Sequence, residues 1–203
     1  MRRSELVRAI ERVPLPAHPR ADLEQVATPA EAAADLLLAA VRLNGVEGRS
    51  VLDLGSGTGR LAIGAALLGA SSVVGIESDP ALVAVARAAA DSAGVPVEFW
   101  PSDVGTWQHP AELVVMNPPF GAQRRHADRV FWDRALLLAE QAVHAFALAD
   151  SRTFIARRVV ARGAQVLETL PVAWELPRTF PHHTRRRVAL AVDRWAIRTQ
   201  PPP

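Results

Sequence analysis

Three glycines at alternate positions, Gly55, Gly57 and Gly59, stand between the aliphatic run Ser50–Leu54 and the apolar stretch that begins at Leu61. A short β-branched and aliphatic run suits a buried parallel strand. Glycines after it let the backbone turn sharply into a helix and approach a ligand that a Cβ would exclude. From there the chain alternates. Helix Gly59–Leu68, strand Val73–Glu77, helix Pro80–Ala93, strand Val95–Trp100 and strand Glu112–Met116 give the β-α-β rhythm of a doubly wound sheet.

The flanks complete the pattern. Pro14, Pro16 and Pro19 interrupt any early helix, and Thr28 is expected to N-cap a helix whose first residue is Pro29 and which runs to Leu43. Asn44-Gly45 and Gly48 mark the turn into the first strand. Downstream, Asp128 to about Gln141 reads as a helix, Val143–Leu148 as a fifth strand and Ser151–Arg162 as a helix. Val166–Leu176 and Val188–Arg198 are strand-like and joined by Pro177–Arg187, without the helix a parallel crossover requires, so they should pair as an antiparallel hairpin. The expected fold is α/β and Rossmann-like: a mostly parallel seven-stranded sheet with a C-terminal antiparallel hairpin. One domain is expected over residues 1–203, with 1–28 gating the site and 199–203 a disordered tail.

Composition narrows the function classes. Apolar residues at 49% against 22% charged fit a packed core rather than a disordered chain. There is no cysteine, and the six histidines form no H-x-x-x-H pair, so no metal is expected. Met1–Val13 carries four arginines and no continuous apolar stretch, and Leu61–Ile76 is too short for a membrane span of about 20 residues. A cytoplasmic location is the expectation. Residues 1–114 hold 9 Arg against 14 acids and residues 115–203 hold 14 Arg against 7, an asymmetry suited to one face meeting a polyanion. All basic residues are arginine, so coding bias is an alternative source of that excess.

The glycine turn reads Asp53-Leu54-Gly55-Ser56-Gly57-Thr58-Gly59. This is G-x-G-x-G preceded by an acid, not the G-x-G-x-x-G that cradles a pyrophosphate. Asp53 suits a cationic amino-acid moiety. Glu77, beside Ser78 at the end of the next strand, can accept both hydroxyls of a ribose, and Asp103, beside Val104 past the third strand, can accept from an adenine amino group. Acids at three successive strand ends point to S-adenosylmethionine ahead of a nicotinamide or flavin cofactor or a purely structural turn.

The second motif, Asn117-Pro118-Pro119-Phe120, directly follows the fourth strand. A nucleobase amino group is a poor nucleophile because its lone pair is delocalised, so a site must aim that pair at the methyl carbon. The Asn117 side-chain oxygen and the Pro118 carbonyl can take the two amine hydrogens, with no strong base needed. Pro118 and Pro119 fix the carbonyl direction, and Phe120 would stack on the base or else serve the core.

On these residues the chain resembles the methyltransferase-like five family, the archaeal and eukaryotic ribosomal RNA adenine-N6 methyltransferases of class I. Leu23-Glu24-Gln25 with Thr28 resembles its L-E-Q-Y-x-T segment, Leu61–Ala70 its L-S-I-G-A-x-L-L-G-A helix, and Asn117–Gly121 its N-P-P-F-G, followed by Asp128 and Phe131. Leu176-Pro177, His183 with Arg185–Arg187, and Val192-Asp193 resemble its L-P, H-K-K-K and V-D-L elements. Val26 replaces the usual Tyr, and Phe146-Ala147-Leu148-Ala149 replaces L-H-K.

The resemblance implies that Gln25 and Thr28 close over the cofactor, alongside Asp53, Gly55, Ser56, Gly57, Gly59, Glu77, Ser78, Asp103, Val104 and Asn117. It implies ribosomal RNA as substrate, with Arg124, Arg125, Arg129, His183, Arg185, Arg186 and Arg187 as backbone contacts. It also implies a small zinc-containing activator protein pairing with the third strand at Phe99 and Trp100, unless Pro96 guards that edge for a monomer. Other acceptors with an sp² amino nitrogen, a protein glutamine amide or guanine N2, suit the same motif. A non-catalytic RNA-binding scaffold is the alternative from another class.

Overall fold

The computed structural model describes residues 1–17, 19–20, 28–120, 127–176 and 188–199. Its centre is a seven-stranded sheet in the order β3-β2-β1-β4-β5-β7-β6. The strands are β1 (Ser50–Leu54), β2 (Ser72–Glu77), β3 (Glu98–Pro101), β4 (Ala111–Met116), β5 (Ala139–Leu148), β6 (Gln165–Leu176) and β7 (Val188–Arg198). β1 to β5 pair in parallel, and β7 runs antiparallel to both β5 and β6, as the sequence pattern predicts.

Strand alternation builds two cores, one on each face. Val51, Leu113, Val115, Ala142 and Phe146 face the helices α1 (Arg3–Glu11), α2 (Ala30–Asn44), α3 (Arg60–Leu67) and α4 (Pro80–Ala93). Leu52, Leu54, Val114, Met116, Val143 and Ala145 face α5 (Asp128–Leu138) and α6 (Arg152–Ala161), where Trp132 and Trp195 meet edge to face at 6.3 Å. Each fully buried Leu or Ile here contributes roughly 1.5–3 kcal/mol relative to exposure. α4 starts as its sequence dictates: Asp79 accepts from the Ala81 N–H at 2.9 Å, and Pro80 takes the first helical position.

The early helix α1 ends at Glu11, before Pro14 and the other interrupting prolines; Leu6 and Ile10, one turn apart, are fully buried against α2 and α3, and Arg3 forks onto Asp35 at 2.5 and 3.0 Å. Three details differ from the sequence expectation. Thr28 is not an N-cap: α2 starts at Ala30 with Pro29 as its N-cap residue, and the Thr28 hydroxyl is engaged elsewhere. α5 ends at Leu138 rather than Gln141, because β5 begins at Ala139 to pair with Ala111 across an irregular register. β3 is shorter than the apolar run beginning at Val95 and spans Glu98–Pro101.

The chain winds outward from β1 through β2 to β3, then returns to lay β4 on the other side of β1. The order therefore switches between β1 and β4, and the crevice beyond their C-terminal ends is where open α/β sheets bind ligands.

Candidate functional site

Leu54, the last residue of β1, pairs with Ile76 of β2 on one side and Met116 of β4 on the other. The glycine turn and the Asn117 corner therefore leave neighbouring strands at one level.

The three glycines of the turn do different work. Gly55, Gly57 and Gly59 all have positive φ, at 73°, 56° and 93°. A Cβ on Gly55 would lie 2.8 Å from the Phe131 ring of α5, and one on Gly59 would lie 2.8 Å from the Phe99 ring. At Gly57 such an atom would meet none of the described residues within 4 Å. Gly55 and Gly59 thus allow close packing beneath the turn, and Gly57 faces open space among the described residues. The Gly55 and Ser56 N–H groups donate to the Ile76 carbonyl at 2.8 and 2.9 Å, locking the turn to β2.

Asp53 lies behind this turn, 1% exposed. Its Oδ2 accepts from the Ala62 N–H at 3.0 Å, tying β1 to the first turn of α3, and its Oδ1 is buried with no partner among the described residues. Burial, aided by the Glu77 charge, pushes its pKa up to about 7. The Ser56 hydroxyl is likewise buried without a partner among the described residues. A carboxylate held this way favours a cation nearby, which would offset the burial.

Glu77, 8% exposed, accepts from the Gly57 N–H at 3.0 Å through one oxygen. Its other oxygen accepts from the Asp79 N–H at 2.9 Å and the Ser78 hydroxyl at 3.3 Å. Its carboxylate is thereby fixed at the lip of the glycine turn. Asp103 is exposed and caps the short turn Val104–Thr106 by accepting from the Gly105 N–H at 2.7 Å. The Val104 side chain is buried with the Ile76 core.

At the end of β4, the Asn117 Nδ2 donates to the Thr28 hydroxyl oxygen at 3.0 Å. Pro118 is buried, and Phe120 is half-buried with its ring edge-on to Trp174 at 5.8 Å. Phe120 therefore shares its aromatic surface with the core through Trp174 and Phe146. The Thr28 carbonyl accepts from Arg60 Nη1 at 2.8 Å, and Nη2 of the same guanidinium holds the Val13 carbonyl at 3.1 Å. Burial lowers the pKa of Arg60, which nonetheless stays a double donor. Sequence reading missed Arg60, because its partners are backbone atoms far along the chain and leave no pattern. Phe131 stands out in the sequence only through the family resemblance, and the structure places its ring against Gly55.

Arg129 is exposed in the first turn of α5, its guanidinium carbon 5.3 Å from the Phe154 ring centre. Gln25, Arg124, Arg125, His183, Arg185, Arg186 and Arg187 lie outside the described residues. At the β3 edge the expected pair divides. Phe99, 2% exposed, points into the core beneath Gly59 and Gly75, and Trp100, 49% exposed, points outward, 6.3 Å from Trp107. No helix among the described residues is long and apolar enough to cross a membrane.

Residues 27–147 match the family described as the methyltransferase small domain. An uncharacterized protein of Methanocaldococcus jannaschii is 34% identical over 86% of this chain and 84% of its own. The rRNA N(6)-adenosine-methyltransferase Mettl5 of Drosophila melanogaster is 31% identical over 74% of each chain. A crystal structure from Pyrococcus horikoshii, described as a candidate RNA methyltransferase, superposes with a TM-score of 0.91 and 34% identity, covering 98% of both chains.

Proposed function

This chain belongs to the methyltransferase small domain family, together with the rRNA N(6)-adenosine-methyltransferase Mettl5, and on that premise we propose that it methylates adenine N6 in ribosomal RNA using S-adenosylmethionine. The observation that carries the reading is the juxtaposition of the glycine turn and the Asn117 corner at the ends of adjacent strands β1 and β4.

The residues present fit the cofactor: among the described residues, Gly57 faces open space and Asp53 keeps a buried carboxylate oxygen without a partner. When bound, S-adenosylmethionine supplies a methyl group activated by a sulfonium. Asp53 with the Gly55–Gly59 turn and Ser56 would take its cationic amino-acid end, Glu77 and Ser78 its ribose, and Asp103 with Val104 its adenine. Gln25 and Thr28 would close over it from the N-terminal segment, residues 1–28 of one catalytic domain.

Asn117 and Pro118 hold the incoming amine. Each offers one oxygen, the side-chain amide and the main-chain carbonyl, to one N6 hydrogen, which turns the nitrogen lone pair toward the methyl carbon. Because the proton leaves after the new bond forms, no residue need act as a strong base. Pro119 stiffens the corner, and Phe120 presents the exposed part of its ring to the flipped base.

The RNA backbone is assigned to Arg124, Arg125, Arg129, His183 and Arg185–Arg187, with guanidinium groups suited to bidentate phosphate contacts. Trp100 is exposed on an edge strand where a partner can add to the sheet. We infer that this partner is the small zinc-containing activator protein the resemblance implies, and that the setting is cytoplasmic. Labelled methyl transfer to undermodified ribosomal RNA, followed by nucleoside mass analysis, tests the reading. N6-methyladenosine is the expected product; label on a protein glutamine or on guanine N2 would replace it with another acceptor.

A further inference from the structure

We propose that Thr28 is a positioning residue for methyl transfer: its hydroxyl tethers the Asn117 side-chain amide, and Arg60 holds Thr28 in place to do so. The inference rests on the reading of Asn117 as the acceptor of the amine hydrogens.

A primary amide is nearly symmetric in shape but opposite in chemistry, with an acceptor oxygen on one branch and two N–H donors on the other. Facing an amino group, only the oxygen can take a hydrogen and steer the lone pair. The flipped amide would set donors against donors. In the structure Asn117 Nδ2 donates to Thr28 Oγ1 at 3.0 Å, which tethers the amide by its NH₂ branch. This bond commits the NH₂ branch to Thr28 and leaves the oxygen as the other branch of the planar amide. The Thr28 hydroxyl, accepting at its oxygen, keeps its own proton to donate.

Thr28 can orient a neighbour because it is itself held. It is buried, and Pro29 after it restricts its backbone to extended conformations. The Pro29 carbonyl accepts from the Ala33 N–H at 2.9 Å as α2 begins, fixing the chain on that side. On the other side Arg60 grips the Thr28 and Val13 carbonyls with its two terminal nitrogens. Arg60 is the first residue of α3, directly after the glycine turn. One guanidinium, two backbone carbonyls, a hydroxyl and an amide thus connect the turn that would hold the cofactor to the group that would hold the acceptor.

Thr28→Val removes the hydroxyl while keeping the branched shape, and Thr28→Ser restores it. Two readouts on the full chain separate the outcomes. The first is hydrogen exchange of the Asn117 side-chain ¹H–¹⁵N pair, identified by its loss in Asn117→Asp; Thr28→Val should speed it by about tenfold relative to wild type and Thr28→Ser, the change expected for one lost hydrogen bond. The second is turnover on RNA at saturating cofactor. Thr28→Val should lose about 100-fold in kcat, as misplacement of a reacting group does. Valine keeps the branched side chain and backbone that would close over the cofactor, and only the hydroxyl against Asn117 is lost. The S-adenosylmethionine Kd of Thr28→Val by calorimetry should therefore stay within a few-fold of wild type, and Thr28→Ser should recover most of the rate. Unchanged amide exchange, a kcat kept in Thr28→Val, or a loss confined to cofactor affinity would each overturn the assignment. If wild type transfers no methyl group to RNA, the proposed function fails, while the amide exchange still decides whether Thr28 holds Asn117.

Discussion

The ring of Phe131 occupies the space that a side chain on Gly55 would need, with Cε1 2.8 Å from where a Cβ would stand. Gly55→Ala meets two penalties, the left-handed backbone at φ 73° and this contact, whereas Gly57→Ala meets only the backbone penalty at φ 56°. The left-handed conformation costs roughly 1–2 kcal/mol, and overpacking adds about 1–3 kcal/mol. Urea titration should show Gly55→Ala to be the less stable variant by at least about 1 kcal/mol. Equal losses would mean that Phe131 yields freely and does not shape the turn.

His144 predicts a pH dependence of stability. It is fully buried, with Nε2 2.8 Å from the Asn44 side-chain oxygen, and burial followed by the Arg194 charge lowers its pKa to about 4. Arg42 opposes protonation as well, and Glu168 favours it. The unfolded chain therefore binds a proton at higher pH than the folded one. The stabilisation is complete above about pH 6.5 and is lost as pH falls through about 4, amounting to up to about 3 kcal/mol. Urea midpoints across that window should fall more steeply for wild type than for His144→Gln; parallel slopes would contradict the account.

Much of this fold was legible because one physical rule governs it. Val51, Leu52, Leu113 and Val114 alternate between two buried faces, and a parallel strand buried on both sides shows up as a continuous apolar run. The glycine turn and the Asn117 corner stood out because each follows such a run. What escaped notice depends on contacts distant in sequence. Thr28 has the residue type of an N-cap, yet Asn117, 89 positions away, takes its hydroxyl. Phe99 and Trp100, adjacent in a strand, must point to opposite faces, and which of them enters the core is set by Gly59 and Gly75, which leave room for the Phe99 ring. The start of β5 is set by pairing of Ala139 with Ala111, which neither residue's propensity announces.

Asp53 should couple cofactor affinity to pH. Its pKa of about 7 in the protein alone means that a bound cation must draw off its proton. Calorimetry should find S-adenosylmethionine binding weaker at about pH 6 than at about pH 8, by up to tenfold per unit below the pKa. Asp53→Asn should bind weakly at both, with little pH dependence. A wild-type affinity flat across that range would remove Asp53 from the binding of the cationic end.

Trp100 should matter to association and not to folding, since it is exposed on the edge strand while Phe99 fills the core. Trp100→Arg is expected to keep the wild-type melting temperature within about 2 °C, the shift that about 0.5–1 kcal/mol produces in a chain of this length. If the proposed activator adds to this edge, its stimulation of transfer should fall in the same variant. A large drop in melting temperature would show that Trp100 serves the fold itself.

The most direct measurement of the central claim is transfer of a labelled methyl group to undermodified ribosomal RNA by wild type and by Asn117→Ala, with nucleoside mass analysis of the product and calorimetry of cofactor binding on both proteins. N6-methyladenosine should form with wild type and vanish with Asn117→Ala, whose affinity for S-adenosylmethionine should stay within a few-fold. Full transfer by Asn117→Ala, or label on any acceptor other than adenine N6, would contradict the account.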